Sequence, residues 1–114
     1  MYVTGGNIDG ARSKSVVSYA VQSNTFAAMV DMNRPRSSHC SAIAGKKLYV
    51  VGSVGTDGDS IEVLDLSDVN AVWQLIQSPV FTQRYSPCVV ALSSLQLLIM
   101  GGSSSRFESD ILML

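Results

Sequence analysis

Apolar positions along this chain fall in runs of about four to eight residues, each closed by Gly, Ser, Asn or Asp, which is how strands are punctuated. Val, Ile, Tyr and Leu fill the runs, as pleated surfaces favour. No stretch holds the i, i+3, i+4, i+7 spacing of an amphipathic helix between caps. The pattern predicts strands over residues 1–4, 15–21, 25–30, 39–44, 48–51, 61–66, 72–76, 88–92, 95–100 and 110–114. Polar, glycine-bearing loops are expected over 7–14, 54–60 and 103–109, and Pro35 excludes a central strand from the connection at 31–38. Glu62 interrupts an apolar run and is expected on a wetter face.

The runs recur. An apolar strand ends at Gly5-Gly6, at Gly52-Ser53 and at Gly101-Gly102, and the first glycines lie 47 and 49 residues apart. Other residues keep step. Arg36 and Arg84 are 48 apart, as are Cys40 and Cys88; Phe26 and Trp73 are 47 apart, Tyr19 and Leu64 45, Ile61 and Ile111 50. A recurrence of this length marks an array of supersecondary units. The units divide the chain at 1–38, 39–86 and 87–114. The middle one is a complete four-strand unit, the first carries strands 2–4, and the last carries strands 1–3.

This ordered set resembles the kelch repeat: an apolar strand closed by a double glycine, a Tyr and a Trp further on, then an Arg before the next unit. Gly5, Gly6, Tyr19, Phe26 and Arg36 match in the first copy, Gly52, Trp73 and Arg84 in the second, Gly101 and Gly102 in the third. Departures are Phe26 in a Trp position, Leu64 in a Tyr position and Ser53 in a glycine position. The resemblance implies an all-β fold of kelch-type β-propeller blades, about two and a half four-stranded antiparallel blades that do not close a ring, since propellers have 4–8. It implies that Tyr19, Phe26 and Trp73 fill the wedges between blades, where each aromatic buries about 150–250 Å². The chain is therefore expected to be a fragment that needs further blades or self-association to cover exposed blade faces.

Composition narrows the function classes. The chain has 114 residues, 46% hydrophobic and 15% charged, with a formal net charge of −1. A mean hydropathy of +0.25 calls for buried faces, not disorder. No basic stripe or polybasic patch is present, so neither nucleic acid nor membrane is an expected partner. No apolar run approaches the ~20 residues of a membrane helix. Two cysteines do not make a disulfide framework, and with no visible secretory signal a cytoplasmic setting is expected.

Candidate chemistry is sparse. His39 stands alone where a nucleophile–base pair would need an oriented partner. Cys40 and Cys88 lack metal-ligand spacing and are expected to be small core residues. Thr56-Asp57-Gly58-Asp59 lacks the further ligands of a calcium loop. No catalytic residue, metal or cofactor is expected. The resemblance instead implies a non-catalytic protein–protein interaction module, with the substrate-receptor part of a ubiquitin ligase adaptor as its narrower form. Arg36 and Arg84, with Ser37, Ser38, Tyr85 and Ser103, are the candidate partner-binding residues, because a planar guanidinium suits bidentate carboxylate contact. Structural arginines that hydrogen-bond loop carbonyls are the plainer reading of the same positions. The alternative class is a fragment of a propeller enzyme of the galactose-oxidase-like class. An immunoglobulin-like sandwich fits the strand number but not the recurrence.

Overall fold

The computed structural model describes residues 1–77, 84, 86–102 and 109–113. These residues form an all-β structure without an α-helix. The strands are β1 Tyr2–Thr4, β2 Asn7–Ile8, β3 Ala11–Arg12, β4 Val16–Ala20, β5 Thr25–Ala28, β6 Cys40–Ala44, β7 Lys47–Val51, β8 Ile61–Asp65, β9 Gln74–Ile76, β10 Cys88–Ser93, β11 Gln96–Met100 and β12 Ser109–Met113. The first sheet runs β1-β4-β5, the second β6-β7-β8-β9 and the third β10-β11-β12, every pairing antiparallel. The arrangement is an open stack with no closed barrel, consistent with an arc of a β-propeller.

Side-chain alternation decides how the sheets stack. On β7, Leu48 and Val50 face the first sheet, where they join Val16, Met32, Leu64 and Trp73 in one core cluster. Tyr49 and Val51 face the third sheet and join Ile61, Val63, Val89, Leu97 and Ile99 in another. A strand covered on both faces has no polar side to show, so β7 reads as a continuous apolar run. Inner strands β6 and β10 lie beside each other, each at one edge of its sheet.

Several local expectations change. The loop at 7–14 contains the β2–β3 ribbon, turned by Asp9 and Gly10, both at positive φ. The loop at 54–60 contains a 3-10 turn, Thr56–Asp59. The strand expected from residue 72 starts at Gln74. Glu62 is not on a wet face: it is fully buried. Cys40 is only half-buried, packed against the cluster shared with the third sheet, and Cys88, opposite Met100 on the third sheet, is exposed.

The ladders also correct one correspondence between repeats. Val51 pairs with Ile61 and Met100 pairs with Ser109. Ser109 is therefore the counterpart of Ile61, Asp110 of Glu62, and Ile111 of Val63. Aligning Ile61 with Ile111 is two residues off, because the loop after Gly101 is shorter than the loop after Gly52, not longer.

Candidate partner-binding rim

Antiparallel pairing puts the start of each inner strand, the end of the next strand and the loop that follows at one end of the sheet. Cys40 opposite Val51 and Val51 opposite Ile61 fix this in the second sheet. The lead-in segment with Arg36, Ser37 and Ser38 thus shares a rim with the loops at 7–14 and 54–60. Hydrogen bonds join them. Gly6 N–H donates to the Arg36 carbonyl at 2.7 Å, and Ser53 N–H donates to the Arg84 carbonyl at 3.0 Å. Val54 N–H donates to the Ser37 carbonyl, and Ser86 N–H to the Ser38 carbonyl.

The glycine signal has its cause here. At Gly5 (φ +55°) and Gly52 (φ +76°) an added Cβ would lie 2.5 Å from the carbonyl oxygens of Arg36 and Arg84 respectively. Only a residue without a side chain allows the next unit's lead-in to approach this closely. Ser53 occupies the second-glycine position without positive φ and keeps the same donor role. Its Oγ also lies 3.3 Å from Ser37 N, which donates to it.

Arg36 is turned inward. Its side chain is 0% exposed and so is that of Glu62, to which it binds through Nη2 at 2.9 Å and Nε at 3.0 Å. Nη1 donates to the carbonyls of Gly52 and Ser60, both at 3.0 Å, and Nη2 donates to Ser60 Oγ at 2.8 Å. Glu62 also accepts from the backbone N–H groups of Asn33 and Arg34. Each charge is thus paired and further hydrogen-bonded, the condition under which a buried ion pair is tolerable. Arg84 repeats the arrangement in part: it is 2% exposed and Nη1 donates to the Gly101 carbonyl at 3.2 Å. The guanidinium groups of Arg36 and Arg84 therefore cannot meet a partner in this conformation, which corrects the expectation of direct carboxylate contact. The buried carboxylate was missed in the sequence, although Glu62 inside an apolar run 26 residues after an arginine was a signal for it.

The exposed part of the rim is different. Ser38 and Ser86 are solvent-facing, each at positive φ (51° and 56°), equivalent positions with the same backbone bend. Arg12 Nη1 donates to the Val54 carbonyl at 2.7 Å, and Arg34 lies 3.7 Å from Asp59. Lys14 is exposed nearby. Ser37 is buried. Tyr85 and Ser103 lie outside the described residues.

His39 is partly buried. Its Nε2 is 2.9 Å from Thr4 Oγ1, which ties the second sheet's lead-in to β1. Burial holds its pKa below 6.5, a hydrogen bond with the Thr4 backbone opposes that, and the positive charge of Arg36 lowers it further. Among the described residues, no group of three or more His, Cys, Asp and Glu could hold a metal ion, and no helix is long and apolar enough to cross a membrane.

Comparison with known proteins adds one relationship. The chain is similar to Kelch-like protein 35 of Mus musculus. The two are 33% identical over 106 residues, which is 89% of this chain and 18% of that protein. The chain thus spans under a fifth of the length of that curated relative. No family model matches. The similarity points to a kelch-repeat relationship, in line with the recurring glycine, arginine and aromatic positions.

Proposed function

We propose that this chain is part of a kelch-type propeller and acts as a non-catalytic module that binds a protein or peptide across the rim just described. Residues 1–38, 39–86 and 87–114 are its blades, the middle one complete. The observation that carries this reading is the repeated docking of each lead-in onto the glycine turn of the unit before it. It builds a rigid shelf from the backbones of Arg36–Ser38 and from Arg84 and Ser86, with the long loops beside it. Loops on a rigid scaffold are where binding residues concentrate. The similarity to a kelch-like protein supports the same reading.

On this reading the buried arginines hold the shelf, and the surface contacts come from Ser38, Ser86, Arg12, Lys14 and Arg34. Arg34 pairs with Asp59, and Asp9 lies on the same loop as Arg12 and Lys14, so the rim presents both signs of charge and favours a polar segment of mixed charge. A role as substrate receptor in a ubiquitin ligase adaptor is the narrower form, supported by the resemblance alone. Two unpaired cysteines fit a reducing compartment such as the cytoplasm.

The test is selection of peptides from a displayed random library on the immobilised chain, followed by affinity measurement. Peptides sharing a polar consensus should emerge, and Arg12→Glu with Arg34→Glu should weaken them about tenfold or more. Lys46→Glu, in the turn between β6 and β7 at the opposite end of the sheets, should leave them unchanged. Loss of binding with Lys46→Glu alone would move the site to the other rim and overturn the proposal.

A further inference from the structure

The joints between units are built alike but carry different side chains at one seat. Between the second and third units, Pro87 Cγ lies 3.2 Å from where a Cβ on Gly52 would stand. Between the first and second, His39 Cε1 lies 2.9 Å from the same point on Gly5. The residues before these glycines, Val51 and Thr4, are equivalent strand ends. An apolar pair, Pro87 and Val51, thus stands at the second joint where a polar pair, His39 and Thr4, stands at the first. Ser38 and Ser86 lead into the two seats with the same bend, φ 51° and 56°. His39 Nε2 is 2.9 Å from Thr4 Oγ1. Its Nδ1 is buried and has no hydrogen-bond partner. Residues of this chain close that nitrogen off, so a group on any further segment would not reach it.

We infer that His39 is a proton-operated latch on the joint between the first and second units, released by acid while the joint between the second and third units stays closed. The neutral ring shares one hydrogen with Thr4 Oγ1. A proton taken from solvent makes both ring nitrogens donors, and a buried donor without an acceptor is costly. The charged groups around the seat do not offset that cost. Arg36, on the same lead-in, is positive and opposes a second positive charge on the ring. Its counter-charge, Glu62, is committed to the Arg36 guanidinium and to the backbone N–H groups of Asn33 and Arg34. From β1 the seat meets the Thr4 hydroxyl and Gly5, neither of them charged. The protonated ring therefore leaves for water, and the lead-in loses its tie to β1. Pro87 takes no proton, so the second joint is an internal control. Because Ser38 belongs to the rim shelf, acid should also loosen a bound segment. That last step rests on the partner-binding reading, and the latch itself does not.

Amide hydrogen exchange at about pH 7.5 and about pH 5.5 tests the latch, read as protection factors so that the intrinsic pH dependence cancels. Gly6 N–H, which donates to the Arg36 carbonyl, reports the first joint. Ser53 N–H, which donates to the Arg84 carbonyl, reports the second. On acidification Gly6 should lose about fivefold or more of its protection, and Ser53 less than about twofold. Thr4→Val with His39→Pro copies the second joint's pair into the first and should abolish the loss at Gly6. His39→Gln keeps a hydrogen-bonding side chain but takes no proton, and should do the same. It serves alone should the double variant disturb folding, which far-ultraviolet circular dichroism checks. Equal losses at Gly6 and Ser53, unchanged protection at Gly6, or a loss that persists in His39→Gln would each overturn the latch. A peptide selected on the rim should bind several-fold more weakly across the same pH step in the parent but not in His39→Gln. Unchanged affinity beside a confirmed loss at Gly6 would overturn that last step and leave the latch standing.

Discussion

Arg36 and Glu62 show what one residue pair does in this fold. The pair sits at the joint between the first and second sheets with neither side chain exposed, and Glu62 also holds the backbone of Asn33 and Arg34. Removing one partner strands a charge away from water. Arg36→Met or Glu62→Leu alone should therefore cost about 3–5 kcal/mol, read as a shift in the urea midpoint, whereas the double substitution should cost clearly less than the sum. Additive losses would mean the two groups act independently. His39 supplies a pH dependence of known sign. Its pKa in the fold lies below the ordinary 6.5, so the unfolded chain binds more protons around and below that value. Its contribution is complete above pH 6.5 and is lost as pH falls through 6.5 toward the lower folded value. Urea midpoints should fall on acidification across this window, and His39→Gln should flatten that part of the profile. An unchanged slope in His39→Gln would assign the effect to other groups.

Among the elements, β5 and β9 are the instructive pair. Both edge their sheets, and Phe26 and Trp73 hold equivalent ladder positions, yet their surroundings differ. Trp73 is buried between sheets and its Nε1 donates to the Val30 carbonyl at 2.9 Å. Phe26 stacks on Tyr19, ring centroids 4.7 Å apart, and is exposed because no sheet among the described residues covers that face. The expectation that Phe26 is inter-sheet core thus fails for a reason outside its own strand. Trp73→Ala should cost about 3–5 kcal/mol, as for a deleted core aromatic. Phe26→Ala, measured at a dilution where only single copies are present, should cost less than about 1 kcal/mol. Equal losses would mean that Phe26 is covered within one chain.

At the scale of the molecule, stability should be graded along the stack. Among the described residues, only the second sheet has a neighbour on both faces, with one core cluster on each side. Hydrogen exchange of single copies should therefore protect β7 and β8 most and β5 least, since local opening follows buried apolar contact. Equal protection of β5 and β7 would show that the first sheet's outer face is covered. The same grading explains why a chain with 46% hydrophobic residues leaves large apolar side chains on both terminal sheets.

The strands, their all-β character and the near-48-residue recurrence were legible in the residues, because apolar runs and glycine stops are local consequences of sheets covered on both sides. The glycine at 52 was legible for the same reason: a close backbone approach tolerates no side chain. What the arginines do was not legible, since inward and outward guanidinium groups look alike in a sequence, and only the ladder that brings Glu62 beneath Arg36 separates them. Equally, matching letters place Phe26 with Trp73 and Ile61 with Ile111. The structure kept the first pair in register but not in burial, and moved the second, because burial depends on which sheet stands next and register on the length of the intervening loop.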